Sequence, residues 1–381
     1  MKPMGVYIHL PFCSRRCGYC DFLTFPHAEK LHEPYFRYLL REITDDAVRR
    51  GLKGRRCDSV FIGGGTPSLF SPSMIRQLLE RLRSVLSLMP DCEITLEANP
   101  ATLDEEKAEG YLAAGVNRLS LGVQSFSDDL LRMCERNHTA HRAKQDISLL
   151  KAAGFTNLSL DLIYGIPGQQ LSDIEKDLCC IAELKPQHIS WYALILEPQT
   201  VFFKNQKTLS FPDEETLDAL EMRARSGLKR LGYERYEISN FAKEGYASRH
   251  NKKYWTAVPY WGLGLGAASY LDGVRSENTR KFSDYFSRVE AGEPTWTVIS
   301  RTRDEDAFEF VMMGLRLVRG IDRAVFFKRY GYDLCTRAPE VFKEHRKRGN
   351  LLWDEKRIWL TEQGLGFQNV FLVDLLDCFS S

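Results

Sequence analysis

This sequence of 381 residues has no excess of either charge sign and no long apolar run. Lysine and arginine number 52 and aspartate and glutamate 51, so the formal net charge is +1. A near-neutral chain has no overall field that would draw it to nucleic acid or hold it on an anionic membrane. No stretch reaches the roughly 18 apolar residues that a transmembrane helix needs. The apolar run near the start is too short for a signal peptide and contains a proline. We therefore expect a cytoplasmic protein without nucleic-acid partners and with at most transient membrane contact.

The ten cysteines are the informative part of the composition. In a reducing compartment they are not expected to form a disulfide framework. Seven are scattered along the chain, and we expect each of these to pack as a small buried apolar residue: Cys57, Cys92, Cys134, Cys179, Cys180, Cys335 and Cys378.

The other three cysteines form a cluster with the spacing Cys13-x3-Cys17-x2-Cys20. An apolar run over residues 6–12 precedes them and is typical of a strand, and Gly18 lies between the second and third cysteines. A strand that leads into a tight loop can place three thiolates around one metal centre. Thiolates favour iron–sulfur clusters or zinc.

Two metal centres fit this loop. Structural zinc needs a fourth ligand, which His9, Asp21 or His27 could supply. A [4Fe–4S] cluster on three cysteines instead leaves one iron without a protein ligand, and an open position lets a metal bind a small molecule and act on it. The spacing favours the cluster.

The first 200 residues alternate between predicted strands and helices. Strands are expected over 6–12, 59–62, 93–97, 117–124, 157–164 and 188–196. One helix is expected around 34–50 and another from its N-cap Ser71 to about 86. A third begins at a capping box of Thr102 and Glu105. Helical patterns follow the strand 117–124 and continue to 153, and a last helix is expected around 172–184. Six such units predict an α/β fold with a parallel sheet, in a partial open (β/α)6 barrel rather than a closed eight-stranded one.

The cysteine loop resembles the one in radical S-adenosylmethionine (SAM) proteins, with Tyr19 just before the last cysteine. The string Tyr7-Ile8-His9-Leu10-Pro11-Phe12-Cys13 narrows the resemblance to the oxygen-independent coproporphyrinogen III oxidase family, which also includes heme chaperones. The resemblance implies a [4Fe–4S] cluster whose open iron chelates SAM. An electron from the cluster then cleaves SAM to a 5′-deoxyadenosyl radical.

The resemblance also implies roles for residues at the predicted strand ends. Each of these residues taken singly fits an ordinary turn or surface position. Tyr7 and Tyr19 would flank the cluster, and Gly64, Gly65 and Thr66 of the Gly63–Pro67 loop would hold the methionine end of SAM. The remaining SAM contacts would come from Glu97, Gln124, Arg136 and Asp161, with Ala193 lining the same cavity.

A second motif, His250-Asn251-x-x-Tyr254-Trp255, lies further along the chain. From residue types alone, a histidine beside lysines and aromatic residues is an exposed histidine next to a small aromatic core. A neutral imidazole can also ligate heme iron, and aromatic rings can cover a porphyrin. The motif resembles the one that heme chaperones of this family carry, which implies heme binding by His250.

The chain is expected to divide into a radical SAM barrel over 1–200, a barrel extension over 201–300, and a smaller helical, winged-helix-like domain over 301–381. In the last part, residues 304–319 predict an amphipathic helix. Residues 351–353 and 357–360 predict a hairpin.

The resemblance leaves two functions open within the family. The oxidases decarboxylate two propionates of coproporphyrinogen III and carry a fourth cysteine two residues after the third, where this chain has Phe22. Phe22 and the His250 motif favour a heme chaperone that delivers heme to respiratory cytochromes or takes it from a donor protein. A zinc-binding regulator that uses a winged tail on DNA is a distant alternative.

Overall fold

The structure is a computed structural model that describes residues 2–379. The chain folds into two compact units. The first contains residues up to 234 together with 239–250 and 259–298, and the second contains 235–238, 251–258 and the residues from 299 onward. Within residues 2–379, no helix is both long enough and apolar enough to cross a membrane.

Most strands before residue 300 belong to one long open sheet, whereas the short strands at residues 12–13 and 25–26 pair separately with each other. In chain order the strands up to residue 299 are β1 Met4–Leu10, β2 Phe12–Cys13, β3 Phe25–Pro26, β4 Arg56–Gly64, β5 Ser87–Ala98, β6 Arg118–Gln124, β7 Leu158–Tyr164, β8 His188–Ala193, β9 Glu234–Glu237, β10 Asn240–Ala242, β11 Tyr260–Leu263, β12 Ala268–Leu271, β13 Val274–Asn278 and β14 Trp296–Ile299. Strands β1, β4, β5, β6, β7 and β8 lie side by side in that order, and each pair is parallel. The predicted partial (β/α)6 barrel is confirmed.

The sheet continues beyond these six strands on both sides. Strand β11 pairs in parallel with the free edge of β1, and β12 and β13 follow it as antiparallel neighbours. Strand β10 pairs antiparallel with β8 at the other side. Residues between 239 and 279 thus add strands to the barrel sheet, within the region of the predicted barrel extension over 201–300.

Helices cover the outside of the sheet, as the alternation predicts. Up to residue 291 they are α1 His32–Arg49, α2 Pro72–Val85, α3 Glu105–Ala114, α4 Asp128–Met133, α5 Ala140–Ala152, α6 Leu171–Leu184, α7 Val201–Lys204, α8 Glu214–Arg230, α9 Arg249–Trp255 and α10 Phe282–Ala291, with 3-10 turns at Glu29–Leu31 and Pro67–Leu69. The predicted cap of α2 is confirmed, since the Ser71 hydroxyl accepts a hydrogen bond from the Met74 amide.

The predicted capping box at the start of α3 is wrong. The helix begins at Glu105, and its N-cap is Asp104, whose carboxylate accepts a hydrogen bond from the Lys107 amide at 2.8 Å. The Thr102 hydroxyl instead donates to the Asn99 carbonyl at 2.6 Å. An aspartate two residues after the threonine caps the helix equally well, and the threonine closes the turn that follows β5.

Strand alternation separates an apolar face from a polar one in the parallel sheet. Val60 and Ile62 of β4 are fully buried and belong to the main hydrophobic core. The polar face carries buried hydroxyl groups on neighbouring strands, such as Ser120 of β6 and Ser159 of β7, which both donate to Asp161. The interior of the barrel is therefore polar beneath the carboxyl ends of its strands.

The second unit is a small helical domain with a three-stranded sheet. Its elements from residue 303 are α11 Arg303–Gly314, β15 Ile321–Asp322, α12 Arg323–Tyr330, α13 Leu334–Arg337, α14 Pro339–Lys347, β16 Leu351–Trp353, β17 Arg357–Leu360, α15 Glu362–Gly366, α16 Gln368–Leu376 and a 3-10 turn Asp377–Phe379. Strands β16 and β17 pair antiparallel, so the predicted hairpin is confirmed, and β15 flanks β17. Helices with such a hairpin agree with the winged-helix-like expectation.

The scattered cysteines follow the packing prediction with one exception. Cys57, Cys92, Cys134 and Cys180 are buried. Cys335 and Cys378 are partly buried and pack against the core of the second unit. The prediction is wrong for Cys179, which is exposed on α6, because its neighbour Cys180 occupies the core-facing side of the helix.

Candidate metal and SAM site

A cavity of about 400 Å³ opens at the carboxyl ends of the parallel strands. This is the edge of a parallel α/β sheet at which ligands usually bind. Eleven of the fourteen residues expected at the site line it: Cys13, Cys17, Tyr19, Cys20, Gly64, Gly65, Glu97, Gln124, Arg136, Asp161 and Ala193. Tyr7, Thr66 and His250 do not line the cavity.

Backbone hydrogen bonds hold the cysteine loop at its start and around Gly18. Its first turn follows β2, which pairs with β3, and the Cys20 amide donates to the Cys17 carbonyl at 3.1 Å. The Gly18 carbonyl accepts from the Phe202 amide at 3.0 Å, and a Cβ at Gly18 would lie 3.0 Å from the Phe202 ring. Gly18 therefore lets the loop lie close to α7.

The Gly63–Pro67 loop lies directly against the start of the cysteine loop. The Gly65 amide donates to the Leu10 carbonyl at 2.9 Å, and the Thr66 amide donates to the Phe12 carbonyl at 2.7 Å. A Cβ at Gly65 would stand 2.4 Å from the Phe12 oxygen, so only glycine fits there. The Thr66 hydroxyl also donates to the Cys13 thiol at 3.5 Å, which places Thr66 at the site although it does not reach the cavity.

Arg136 connects the cysteine loop to the strand ends. Its Nη1 donates to the Cys17 sulfur at 3.4 Å, and its Nη2 donates to the Asn99 side-chain oxygen at 2.6 Å and to the Gly122 carbonyl at 2.5 Å. Asn99 in turn donates to the Thr66 hydroxyl at 2.8 Å. Asn99 is not among the residues predicted from the sequence, although its place in Ala98-Asn99-Pro100 directly after a strand is a usable signal.

Two carboxyl groups line the same cavity as the cysteine loop. The Glu97 carboxylate accepts from the Gly64 amide at 3.1 Å, and Asp161 accepts from Ser120 at 3.0 Å. Burial, with the nearby charge of Asp161, raises the pKa of Glu97 to about 8. Burial also raises the pKa of Asp161, against the hydrogen bonds it accepts and the positive charge of Arg118. Glu97 and Asp161 together favour a ligand that is cationic or that donates hydrogen bonds.

Gln124 reaches the cavity from an irregular strand end. Its φ angle is +68°, which is unusual for a residue other than glycine, and the pairing of β6 with β7 shifts register between Gly122 and Gln124. The buried Asp177 carboxylate of α6 stabilises the following turn by accepting from the Phe126 amide at 2.6 Å and the Ser125 hydroxyl at 3.1 Å. Nothing in the local sequence pattern links Asp177 to this turn, so sequence reasoning missed it.

The two tyrosines occupy different layers of the site. Tyr19 lines the cavity, and its ring centroid lies 6.3 Å from that of Phe202. The Tyr7 hydroxyl lies 2.9 Å from His9 Nδ1, whose other ring nitrogen lies 2.9 Å from the Leu23 carbonyl. Burial lowers the pKa of His9 to about 4. Both nitrogens of His9 are thus engaged, and His9 is not available as a fourth zinc ligand in this arrangement.

His250 lies away from the cavity. Its side chain is fully buried, so the expectation of an exposed histidine is wrong. Nδ1 lies 3.2 Å from the Ser59 hydroxyl, the ring centroid lies 5.4 Å from that of Phe61, and the backbone amide donates to Glu93 at 3.1 Å. His250 belongs to the first unit and the following Asn251–Trp255 to the second, so the motif is divided between them.

The donor set fits a [4Fe–4S] cluster better than a single ion. Among residues 2–379, no group of three or more His, Cys, Asp or Glu side chains is arranged to hold one metal ion. A cluster is larger, and its iron atoms take thiolates at separate corners. Arg136 Nε is buried without a hydrogen-bond partner, and burial raises the pKa of Cys13 to about 11. The Arg136 Nε is thus free to donate to a bound group, and a metal would bind the thiolate form of Cys13 and release its proton.

The sequence matches known families along most of its length. It matches the Radical SAM superfamily over residues 7–178 and the HemN C-terminal domain over residues 302–367. It is 35% identical to the heme chaperone HemW of Haemophilus influenzae, across 100% of this chain and 98% of that protein. It is also 35% identical to the HemW proteins of Bacillus subtilis (94% and 96% covered) and Escherichia coli (100% and 98% covered).

The fold matches that of a solved structure. Coproporphyrinogen III oxidase (HemN) from Escherichia coli, a radical SAM enzyme, superimposes with a TM-score of 0.85 at 24% identity, covering 100% of this chain and 90% of that one. This likeness establishes the fold, and the sequence identity to full-length relatives establishes the family. The chain belongs to the HemN family of radical SAM proteins, on its heme chaperone HemW branch.

Proposed function

We propose that this protein is a heme chaperone, which holds a [4Fe–4S] cluster with SAM, binds heme and passes it to respiratory cytochromes. The observation that carries the proposal is the cavity where the three cysteines meet Glu97 and Arg136, in a chain similar along its whole length to proteins named heme chaperones. Family membership supports the cluster and SAM, and the names of the relatives support heme. The recipient cytochromes and a heme donor protein are part of the proposal alone.

The residues at the cavity have separate tasks in this proposal. Cys13, Cys17 and Cys20 hold the cluster, which when bound supplies an electron to SAM. Arg136 hydrogen-bonds Cys17, and its buried Nε has no hydrogen-bond partner within the described residues. Gly64 and Gly65 allow the backbone to approach the methionine end of SAM, while Thr66 hydrogen-bonds Cys13.

The remaining SAM contacts come from the strand ends. Glu97 and Asp161 accept hydrogen bonds from the amino or ribose groups of SAM, and Gln124 offers an amide from its irregular strand end. Tyr19 and Ala193 line the cavity, and Tyr7, which does not line it, contacts His9.

Phe22 supports a chaperone over an oxidase. It lines the cavity at the position where the oxidase pattern has a fourth cysteine, and its side chain is 70% exposed. A phenyl ring cannot replace a thiol that takes part in redox or metal chemistry. The fold of the HemN oxidase and the intact set of SAM-fitting residues favour coproporphyrinogen III oxidation as the second candidate function.

One assay separates the two functions. Full-length protein is purified without oxygen, its cluster is reconstituted, and iron, sulfide and heme binding are measured. The same sample is then reduced with SAM and coproporphyrinogen III. We expect stoichiometric heme binding and no protoporphyrinogen IX. SAM-dependent conversion over many turnovers would instead assign the oxidase function, and zinc in place of iron would contradict the cluster.

His250 remains the predicted heme ligand and has its own test. Because His250 has no exposed surface, the groups that cover it, among them Ser59 and Phe61, have to move before heme iron reaches the imidazole. We expect His250→Ala to weaken heme binding and to alter the heme absorption spectrum while the iron–sulfur absorption stays unchanged. An unaltered heme spectrum in that variant would remove His250 from the iron.

A further inference from the structure

Three apolar side chains line the cavity where it opens to solvent. Phe22 is 70% exposed, Ile195 is 69% exposed and Tyr192 is 40% exposed, and all three line the cavity. Single exposed apolar residues are common on protein surfaces, but a group around a cavity marks a ligand-binding surface. Phe22 comes from the cysteine loop, whereas Tyr192 and Ile195 come from the end of β8 and the segment after it. We call these three residues the apolar rim.

Cationic side chains lie beside the apolar rim. Arg15 and Arg16 are exposed members of the cysteine loop that also line the cavity. Arg15 lies 3.4 Å from Glu135, at a distance and exposure that make this ion pair weak, and Arg16 donates through Nε to the Cys20 carbonyl at 3.3 Å. A guanidinium in this setting can exchange such a partner for the carboxylate of a ligand.

A flat apolar ligand with carboxylates on one edge matches this combination. A porphyrin ring offers two apolar faces to aromatic and branched side chains, and its propionates pair with arginine. A small polar metabolite would gain nothing from exposed Phe22 and Ile195. A protein partner is less well matched, because the rim surrounds a concave opening rather than forming a broad flat patch.

We propose that the porphyrin ring of heme rests on the apolar rim of Phe22, Tyr192 and Ile195, with its propionates toward Arg15 and Arg16. The proposal rests on the proposed heme-chaperone function and assigns the place of contact. It concerns the state that the structure describes, in which the predicted ligand His250 has no exposed surface. Heme then meets the protein first beside the cysteine loop.

The test uses heme and, separately, iron-free protoporphyrin IX. A site made of apolar side chains and arginines binds both, whereas a site that depends on an iron ligand does not bind the iron-free ring. Each porphyrin is titrated into the full-length, cluster-reconstituted protein and followed by absorbance or fluorescence. The variant carries Phe22→Ser and Ile195→Ser, and because both positions are exposed, neither substitution removes packing from the core.

A matched control carries Met222→Ser. Met222 is 60% exposed on α8 and does not line the cavity, so the control removes a similar apolar surface elsewhere in the same unit. We expect the rim variant to bind both porphyrins at least about tenfold more weakly than wild type, which corresponds to about 1.4 kcal/mol. We expect the control to bind both as wild type does.

The outcomes separate this inference from the proposed function. The apolar rim is overturned, with heme binding intact, if the rim variant binds both porphyrins with wild-type affinity. It is also overturned if the rim and control variants lose the same affinity. A wild-type protein that binds neither porphyrin would overturn the heme-chaperone function and the rim with it. In a second arm, Arg15→Gln with Arg16→Gln should lower the salt dependence of binding, and an unchanged dependence would remove the arginines from the site.

Discussion

Gly65→Ala tests whether the glycine loop is what holds the cysteine loop in place. A Cβ at residue 65 would lie 2.4 Å from the Phe12 oxygen and 2.8 Å from its carbonyl carbon and its nitrogen. Favourable contacts of carbon lie at about 3.5–4.0 Å, so the two backbone segments must separate by about 1 Å. No side chain can move aside, because the atoms met are all backbone.

The cost of this separation has two parts. Overpacking of a rigid site typically costs about 1–3 kcal/mol. The hydrogen bonds from the Gly65 amide to Leu10 and from the Thr66 amide to Phe12 would also lengthen, at about 1 kcal/mol each. Gly65 does not have a positive φ angle, so backbone strain adds nothing to this sum. We expect a destabilisation of about 3–5 kcal/mol, centred on the segment that leads into Cys13.

The assay compares thermal unfolding, iron content and SAM affinity after reconstitution. We expect Gly65→Ala to lower the melting temperature and to hold little cluster. Gly366→Ala is the matched control, because a Cβ there meets nothing within 4 Å and the residue lies in helix α15. Full iron content and a wild-type melting temperature in Gly65→Ala would refute the argument that this contact holds the cysteine loop.

Three further predictions concern charge. Arg136→Met removes the hydrogen bond to Cys17 and leaves Asn99 without its charged partner, so we expect weaker SAM binding, measured by calorimetry; wild-type affinity would contradict that role. Since burial raises the pKa of Glu97 to about 8, its ionised form is scarce at neutral pH, and SAM affinity should rise up to tenfold per pH unit as pH approaches 8. Glu97→Gln should abolish that dependence, and a persisting slope would assign it to another group. Burial raises the pKa of Glu42 to about 7 from an unfolded value of 4.5. Because the folded state then holds the proton more tightly, the free energy of unfolding should fall by about 3 kcal/mol as pH rises from 4.5 to 7, relative to Glu42→Gln. Parallel pH profiles of the two proteins would refute this.

The elements of the barrel were largely predictable because their signals are local. Strand β7 begins at Leu158, one residue from the predicted start, and α6 covers the predicted helix. The α3 cap shows where local reasoning fails, since Thr102 and Asp104 both offer a capping oxygen and the surrounding turn decides between them. Pairing of β11 with β1 could not be predicted, because it joins residues about 250 positions apart with no shared pattern.

The sequence by itself determined the cysteine spacing, the alternation of strands and helices, and the glycine loop, because each depends on a few neighbouring residues. Only the tertiary structure brought Arg136 to Cys17, 119 residues away, and Asp177 to the turn after Gln124. It also decided that His250 is buried against Ser59 while Phe22 stands exposed at the cavity. Burial and long-range hydrogen bonds depend on which strands become neighbours, and the packing of the whole sheet sets that order.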